Sequence, residues 1–213
     1  NARGDRADGR TPRPGGGGGE VVTEPCVEAV ESGQAWDAAH AWNPAFLAGT
    51  ATFADEVCAQ REWSAPDAVV LPVGHGTLFL GAYRGFRTLR EAGWTDGVPR
   101  LLCVKAAGYA PIVAERHGQA AATGDNEVAD GIRIREPVRR DQIIAATDAT
   151  DGDTIALPGS AVEDTLDALH RQGFHTEPTC ATAPAALDRY RDRGVLAPDA
   201  DVVVPLTGSG LKS

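Results

Sequence analysis

Ala68-Val69-Val70-Leu71-Pro72-Val73-Gly74-His75-Gly76-Thr77-Leu78-Phe79-Leu80-Gly81 decides how the rest of the chain is read. Ala68 to Val73 is an apolar run of strand length, Gly74-His75-Gly76 ends it, and an amphipathic pattern opens immediately. The first amides of a helix lack intrahelical partners and carry the positive end of its dipole. A strand, a glycine turn and a helix in direct succession therefore aim donors at a phosphate or carboxylate. Glycines at the turn let such a ligand approach the backbone.

Working outward, Leu78, Ala82, Phe86 and Leu89 share one face of a helix predicted to run to Ala92, with Gly93 as its C-terminal stop. Leu101 to Val104 is a short buried strand, which completes a strand-helix-strand unit. Downstream, helices are predicted at Ala110 to Gly118 and around Ile143 to Ala146, and a strand at Thr154 to Leu157. Ser160 and Glu163 match a capping box opening a helix to Gly173. A further helix starts at Glu177-Pro178-Thr179, and Asp201 to Leu206 is the last strand. Alternation of this kind gives an α/β fold with a mostly parallel open sheet covered by helices, whose ligands sit at the carboxyl ends of strands.

Upstream, residues 1–20 are Arg, Asp, Gly and Pro with little to bury, and read as a disordered tail. Residues 21–65 read as a connecting segment: a short helix from Val27, a loop through Trp36 to Phe46 where Pro44 blocks helix continuation, and a helix from Thr50 to Trp63. Residues 66–213 are the binding domain. The chain has no Met, so its start reads as processed, truncated or misassigned.

Acidic residues number 30 against 20 basic, for a net charge of -10, and Lys105 and Lys212 are the only lysines. This skew fits either a coding bias with an ordinary acidic surface or adaptation to high salt. In both cases it argues against nucleic acid as a partner, which needs clustered cations. Cys26, Cys58, Cys103 and Cys180 are too far apart for a zinc motif and read as reduced thiols, no run is long enough to span a membrane, and the cytoplasm is the expected compartment.

Gly74-His75-Gly76-Thr77 fails as a dinucleotide fingerprint because Phe79 stands where its third glycine would be, and the Gly-rich terminus has the wrong spacing for a nucleotide loop. His75 is either a base or a residue used only through its backbone, and His40, His117, His170 and His175 show no ligand spacing.

Leu71 to Gly81, Trp42-Asn43-Pro44-Ala45-Phe46, Gly49-Thr50, Asp130-Gly131-Ile132, Glu177-Pro178-Thr179 and Pro205 to Lys212 together resemble the C-terminal part of threonine-synthase-like enzymes of the fold-type II pyridoxal-phosphate family. The resemblance covers roughly Trp36 to Lys212 and implies the large domain of that fold, incomplete at its N-terminal side. It implies that Gly74, His75, Gly76, Thr77 and Leu78 cradle the phosphate of pyridoxal phosphate and that Thr207 lies beside the pyridine nitrogen. Asp130 and Gly131 would border the ring, and Glu177 the substrate pocket. A neutral hydroxyl at the ring nitrogen favours elimination or replacement over transamination.

The family's imine-forming lysine and carboxylate-holding loop are not found here: neither Lys105 nor Lys212 has the family context, so no catalytic residue is assigned. The expectation is a truncated or inactive enzyme of threonine-synthase-like or threonine/serine ammonia-lyase-like amino-acid metabolism. The alternative is a non-catalytic pyridoxal-phosphate-binding or partner subunit that complements a separate N-terminal half. The expected partners are a small amino-acid substrate and a homodimer mate or complementing chain.

Overall fold

The computed structural model describes residues 28–36 and 40–212. The expected tail at 1–20, Cys26 and the side chain of Lys212 lie outside the described residues. The chain falls into two units, Asn1–Ala39 and His40–Ser213. In the first, residues 28–31 form one helical turn, α1, followed by Gly33 at φ +73°.

In the second unit, α2 spans Pro44–Gln60, β1 Ala68–Pro72, α3 Thr77–Glu91, β2 Arg100–Ala106, α4 Pro111–His117 and α5 Gln119–Ala122. Then follow α6 Arg140–Ala149, β3 Asp153–Leu157, α7 Gly159–Arg171, α8 Pro178–Asp192 and β4 Val202–Val203. The four strands form one parallel sheet in the order β3-β2-β1-β4. The chain thus builds outward from β1 through β2 to β3, then returns to add β4 on the other side of β1. That reversal leaves a crevice at the carboxyl ends of β1 and β4, where ligands enter open α/β sheets.

Both faces of the sheet are covered, which is why its strands are apolar runs and not alternating ones. Val69, Leu71, Val73, Leu101 and Cys103 pack against α2, α3 and α6 through Leu47, Ala54, Phe79, Phe86 and Ile143. On the other face, Val70, Leu102, Val104 and Leu157 meet Val162 of α7 and Ala181, Ala183 and Tyr190 of α8. The buried Tyr190 hydroxyl donates to Cys103 O at 2.8 Å, so the largest side chain of this face leaves no orphaned donor. Among the described residues, no helix is long and apolar enough to cross a membrane.

Four local expectations are corrected. Pro44 does not keep the chain out of a helix: it is the first helical residue of α2, where its missing N–H is harmless, and Asn43 Oδ1 caps by accepting from Ala45 N at 2.9 Å. Ser160 does not cap α7. Pro158, extended at φ -71° and ψ 156°, precedes the helix without a side-chain cap, and Gly159 N donates to Asp125 O at 2.9 Å. The last strand is only Val202–Val203, because it pairs with Ala68 and Val69 alone and Pro205 has no amide to continue the ladder. Lys105 lies inside β2, not after it.

Candidate functional site

At the carboxyl ends of β1 and β4 opens a cleft of about 440 Å³, within the range of small-molecule sites. Gly74, His75, Gly76, Thr77, Leu78 and Phe79 line it from the β1 turn and the first turn of α3. Asp130, Gly131, Ile132 and Ile134 close one wall, and Thr179, Thr207 and His40 complete it. The sequence-predicted residues Gly74 to Leu78, Asp130, Gly131 and Thr207, scattered over 134 positions of chain (74 to 207, inclusive), thus meet at one opening. Glu177 does not line it. It precedes α8, and its carboxylate occupies the space that a Cβ on Gly208 would need.

The turn is shaped by what its glycines permit. Gly76 has φ +93°, and a Cβ there would stand 2.5 Å from Ile143 Cδ1; a Cβ on Gly74 would stand 3.0 Å from Gly131 O. Gly76 immediately precedes α3, no side-chain oxygen caps that helix, and no acid stands in its first turn. The amide end of α3 therefore faces the cleft without a capping anion of its own, the arrangement that holds a phosphate, while Asp130 lines the cleft from its wall.

Polar groups gather around this turn. His75 Nδ1 accepts from Val138 N at 3.4 Å, and its ring centroid lies 6.1 Å from that of His40. Burial, then His40 and Lys105, lowers the pKa of His75, which favours the neutral imidazole. His40 Nδ1 lies 3.3 Å from Thr77 Oγ1, and Thr50 Oγ1 donates to Thr77 O at 3.0 Å. Opposite, Gly131 N donates to Thr179 Oγ1 at 3.1 Å. Cys180 Sγ sits 3.3 Å from Thr207 Oγ1 and accepts from Gly208 N at 2.7 Å, so a buried thiol fixes the loop that presents Thr207.

Sequence reading missed His40, Thr179 as a wall residue, and Cys180. His40 is isolated in sequence and reaches the cleft only because the segment before α2 passes Thr77. Cys180 was one of four dispersed thiols, and its contact with Thr207 spans 27 positions. The adjoining Glu177-Pro178-Thr179 motif was the only local signal.

A glycine-lined turn at an uncapped helix N-terminus, sharing one cleft with the neutral hydroxyl of Thr207, fits a phosphorylated aromatic ring. A family model described as "Pyridoxal-phosphate dependent enzyme" matches residues 13–208. The chain belongs to this family. Within the family, it is 33% identical over 175 residues to threonine synthase of Methanosarcina acetivorans, covering 80% of this chain and 43% of that protein. Threonine synthase of Mycobacterium bovis is 31% identical over 174 residues, with 80% and 46% covered. The chain therefore spans less than half the length of these curated relatives.

Among solved structures, O-ureido-L-serine synthase bound to O-ureido-L-serine superposes with a TM-score of 0.69 at 17% identity, covering 91% of this chain and 55% of that one. A threonine deaminase from T.th. superposes at 0.56 with 24% identity, covering 80% and 60%. The fold is that of fold-type II pyridoxal-phosphate enzymes, and the family's cofactor is pyridoxal phosphate.

Proposed function

We propose that these residues are the cofactor-phosphate-binding part of a cytoplasmic enzyme of amino-acid metabolism, with threonine-synthase-like or threonine/serine ammonia-lyase-like chemistry. On their own they do not turn over. The observation that carries this reading is the composition of the cleft: an uncapped glycine turn and Thr207 in one opening, and no lysine among its described lining residues. Bound there, pyridoxal phosphate supplies an electron sink for charge that develops at the α-carbon of an amino acid. The backbone amides of Gly76, Thr77 and Leu78 would hold the phosphate. Thr207 would offer the ring nitrogen a hydroxyl that cannot protonate it as an acid would, with Cys180 keeping that hydroxyl in place. Gly131 and Asp130 would border the ring, and Glu177 braces Gly208 next to Thr207.

Without an amine to bond the cofactor and shuttle the α-proton, catalysis loses orders of magnitude. Titration of the chain with pyridoxal phosphate, followed by absorbance, is expected to show saturable binding. Threonine formation and ammonia release from threonine or serine should stay at the blank rate. Borohydride reduction of the mixture should leave Lys105 unmodified; a stoichiometric adduct on one lysine, or turnover, would overturn the inactive reading.

A second reading, a partner subunit complementing a separate N-terminal half, is supported by two aromatics at the cleft side of α2. Trp42 is 61% and Phe46 42% exposed, beside His40. Large apolar rings left in water mark a surface that another chain covers.

A further inference from the structure

Lys105 is fully buried, and among the described residues no carboxylate pairs with it. It follows Leu101 and Cys103 on the face of β2 that packs under α3. The bond from Val73 N to Val104 O, 2.9 Å, sets Lys105 beside the end of β1 where the glycine turn begins. Its Nζ has one weak protein acceptor, Ile134 O at 3.4 Å, and Ile134 lines the cleft. Ile134 Cγ1 in turn lies 3.6 Å from the position of a Cβ on Gly74. The amine thus sits against the backbone of a cleft-lining residue, on the strand beside the end of β1, and is not itself among the residues lining the cleft.

An ammonium removed from water without a counter-ion is strongly disfavoured. Here it also lies near the His75 imidazole, at the end of the strand beside the turn that opens α3, whose first turn carries no acid, although Asp130 lines the same cleft. Two sources of positive potential, the buried amine and the helix end, thus converge on the turn.

We infer that Lys105 is the buried counter-charge of a phosphate dianion seated on the Gly74 to Thr77 turn, acting from the neighbouring strand through the low-dielectric interior. Coulomb forces at such a place are screened far less than at the surface. Burial alone pushes the amine down to about 8, which an adjacent dianion would reverse. The same placement keeps Lys105 outside the cleft lining and next to the strand end that leads into the turn, where it serves as a charge and not as the covalent anchor. The inference rests on the cleft being an anion seat, and holds whether the phosphate is free or that of the cofactor.

The chain has only two lysines, so wild-type protein carrying 13C at the lysine ε-carbon gives two resonances, with Lys212 as the internal control. On saturation with inorganic phosphate, the titration midpoint of Lys105 is expected to rise by at least about one pH unit while Lys212 stays put. By reciprocity, Lys105→Met should bind inorganic phosphate about tenfold more weakly. A Lys105 midpoint that phosphate leaves unmoved, absence of phosphate binding to the wild type, or equal phosphate affinity in Lys105→Met would each overturn the inference. The resonance experiment decides it even where the variant does not fold. A third titration, with pyridoxal phosphate, separates the two claims: if phosphate binds and moves Lys105 while pyridoxal phosphate does not bind, the counter-charge stands and the proposed function falls.

Discussion

Lys105 ties the pH dependence of stability to the site. Its folded pKa is about 8 against an ordinary 10.5, so between those values the unfolded chain binds more protons than the folded one. The penalty is fully present below about pH 8 and is relieved as pH rises towards 10.5. Its size follows from the depression and is about 3 kcal/mol. Cys103 on the same strand is pushed up to about 12, and Tyr190 is raised too; both act in the opposite sense, losing stability as pH rises above their ordinary values. The measurement is therefore a difference: Lys105→Met should unfold at higher denaturant than wild type at pH 7, and the gap should shrink above pH 9. Gly76 makes the second prediction at this scale. Alanine there meets both a left-handed backbone and Ile143, so Gly76→Ala should lose about 2 kcal/mol or more in chemical denaturation and abolish phosphate binding.

The helix boundaries show which local rules govern the elements. Asn43 accepts an amide bond at the start of α2, whereas Ser160 caps nothing. Asn43→Ala should cost about 1 kcal/mol, and Ser160→Ala should be neutral within about 0.5 kcal/mol, both read from urea midpoints. Element identity in the α/β unit was legible because its signals are local: the apolar run before Gly74, the spacing of Leu78, Ala82, Phe86 and Leu89, and the run from Leu101. Boundaries were not, because a proline can either stop a helix or begin it, and Pro44 and Pro158 are settled by the groups that satisfy neighbouring amides. Which residues meet at the cleft was legible only in part. Glycine turns announce an anion seat through their own conformation, but Lys105, Cys180 and His40 gain meaning only from neighbours brought close by the strand order.

At the scale of the whole molecule, a sheet with β1 in its interior joins two cores, and the cleft forms where the chain reverses direction. The glycine turn, Asp130, Gly131 and Thr207 thus meet within these residues, while a lysine that lines the cleft is not among those described. Co-expression with a lysine-bearing N-terminal half from a threonine synthase relative should give a co-purifying complex and, with pyridoxal phosphate, measurable threonine formation or ammonia release. If the two polypeptides elute separately and stay inactive, the complementation reading fails. Trp42→Ser and Phe46→Ser should weaken the complex without changing phosphate affinity.

The brevity of β4 has a consequence for motion. Two register pairs hold β4 to β1, and beyond them the loop with Thr207 is tied by scattered contacts from Cys180, Glu177 and Thr176, whereas five register pairs lock β1 to β2. Backbone amides around Val202 and Gly208 should therefore exchange with deuterium sooner than those of β1 and β2, making the Thr207 side of the cleft the part that breathes while the side next to β1 stays set.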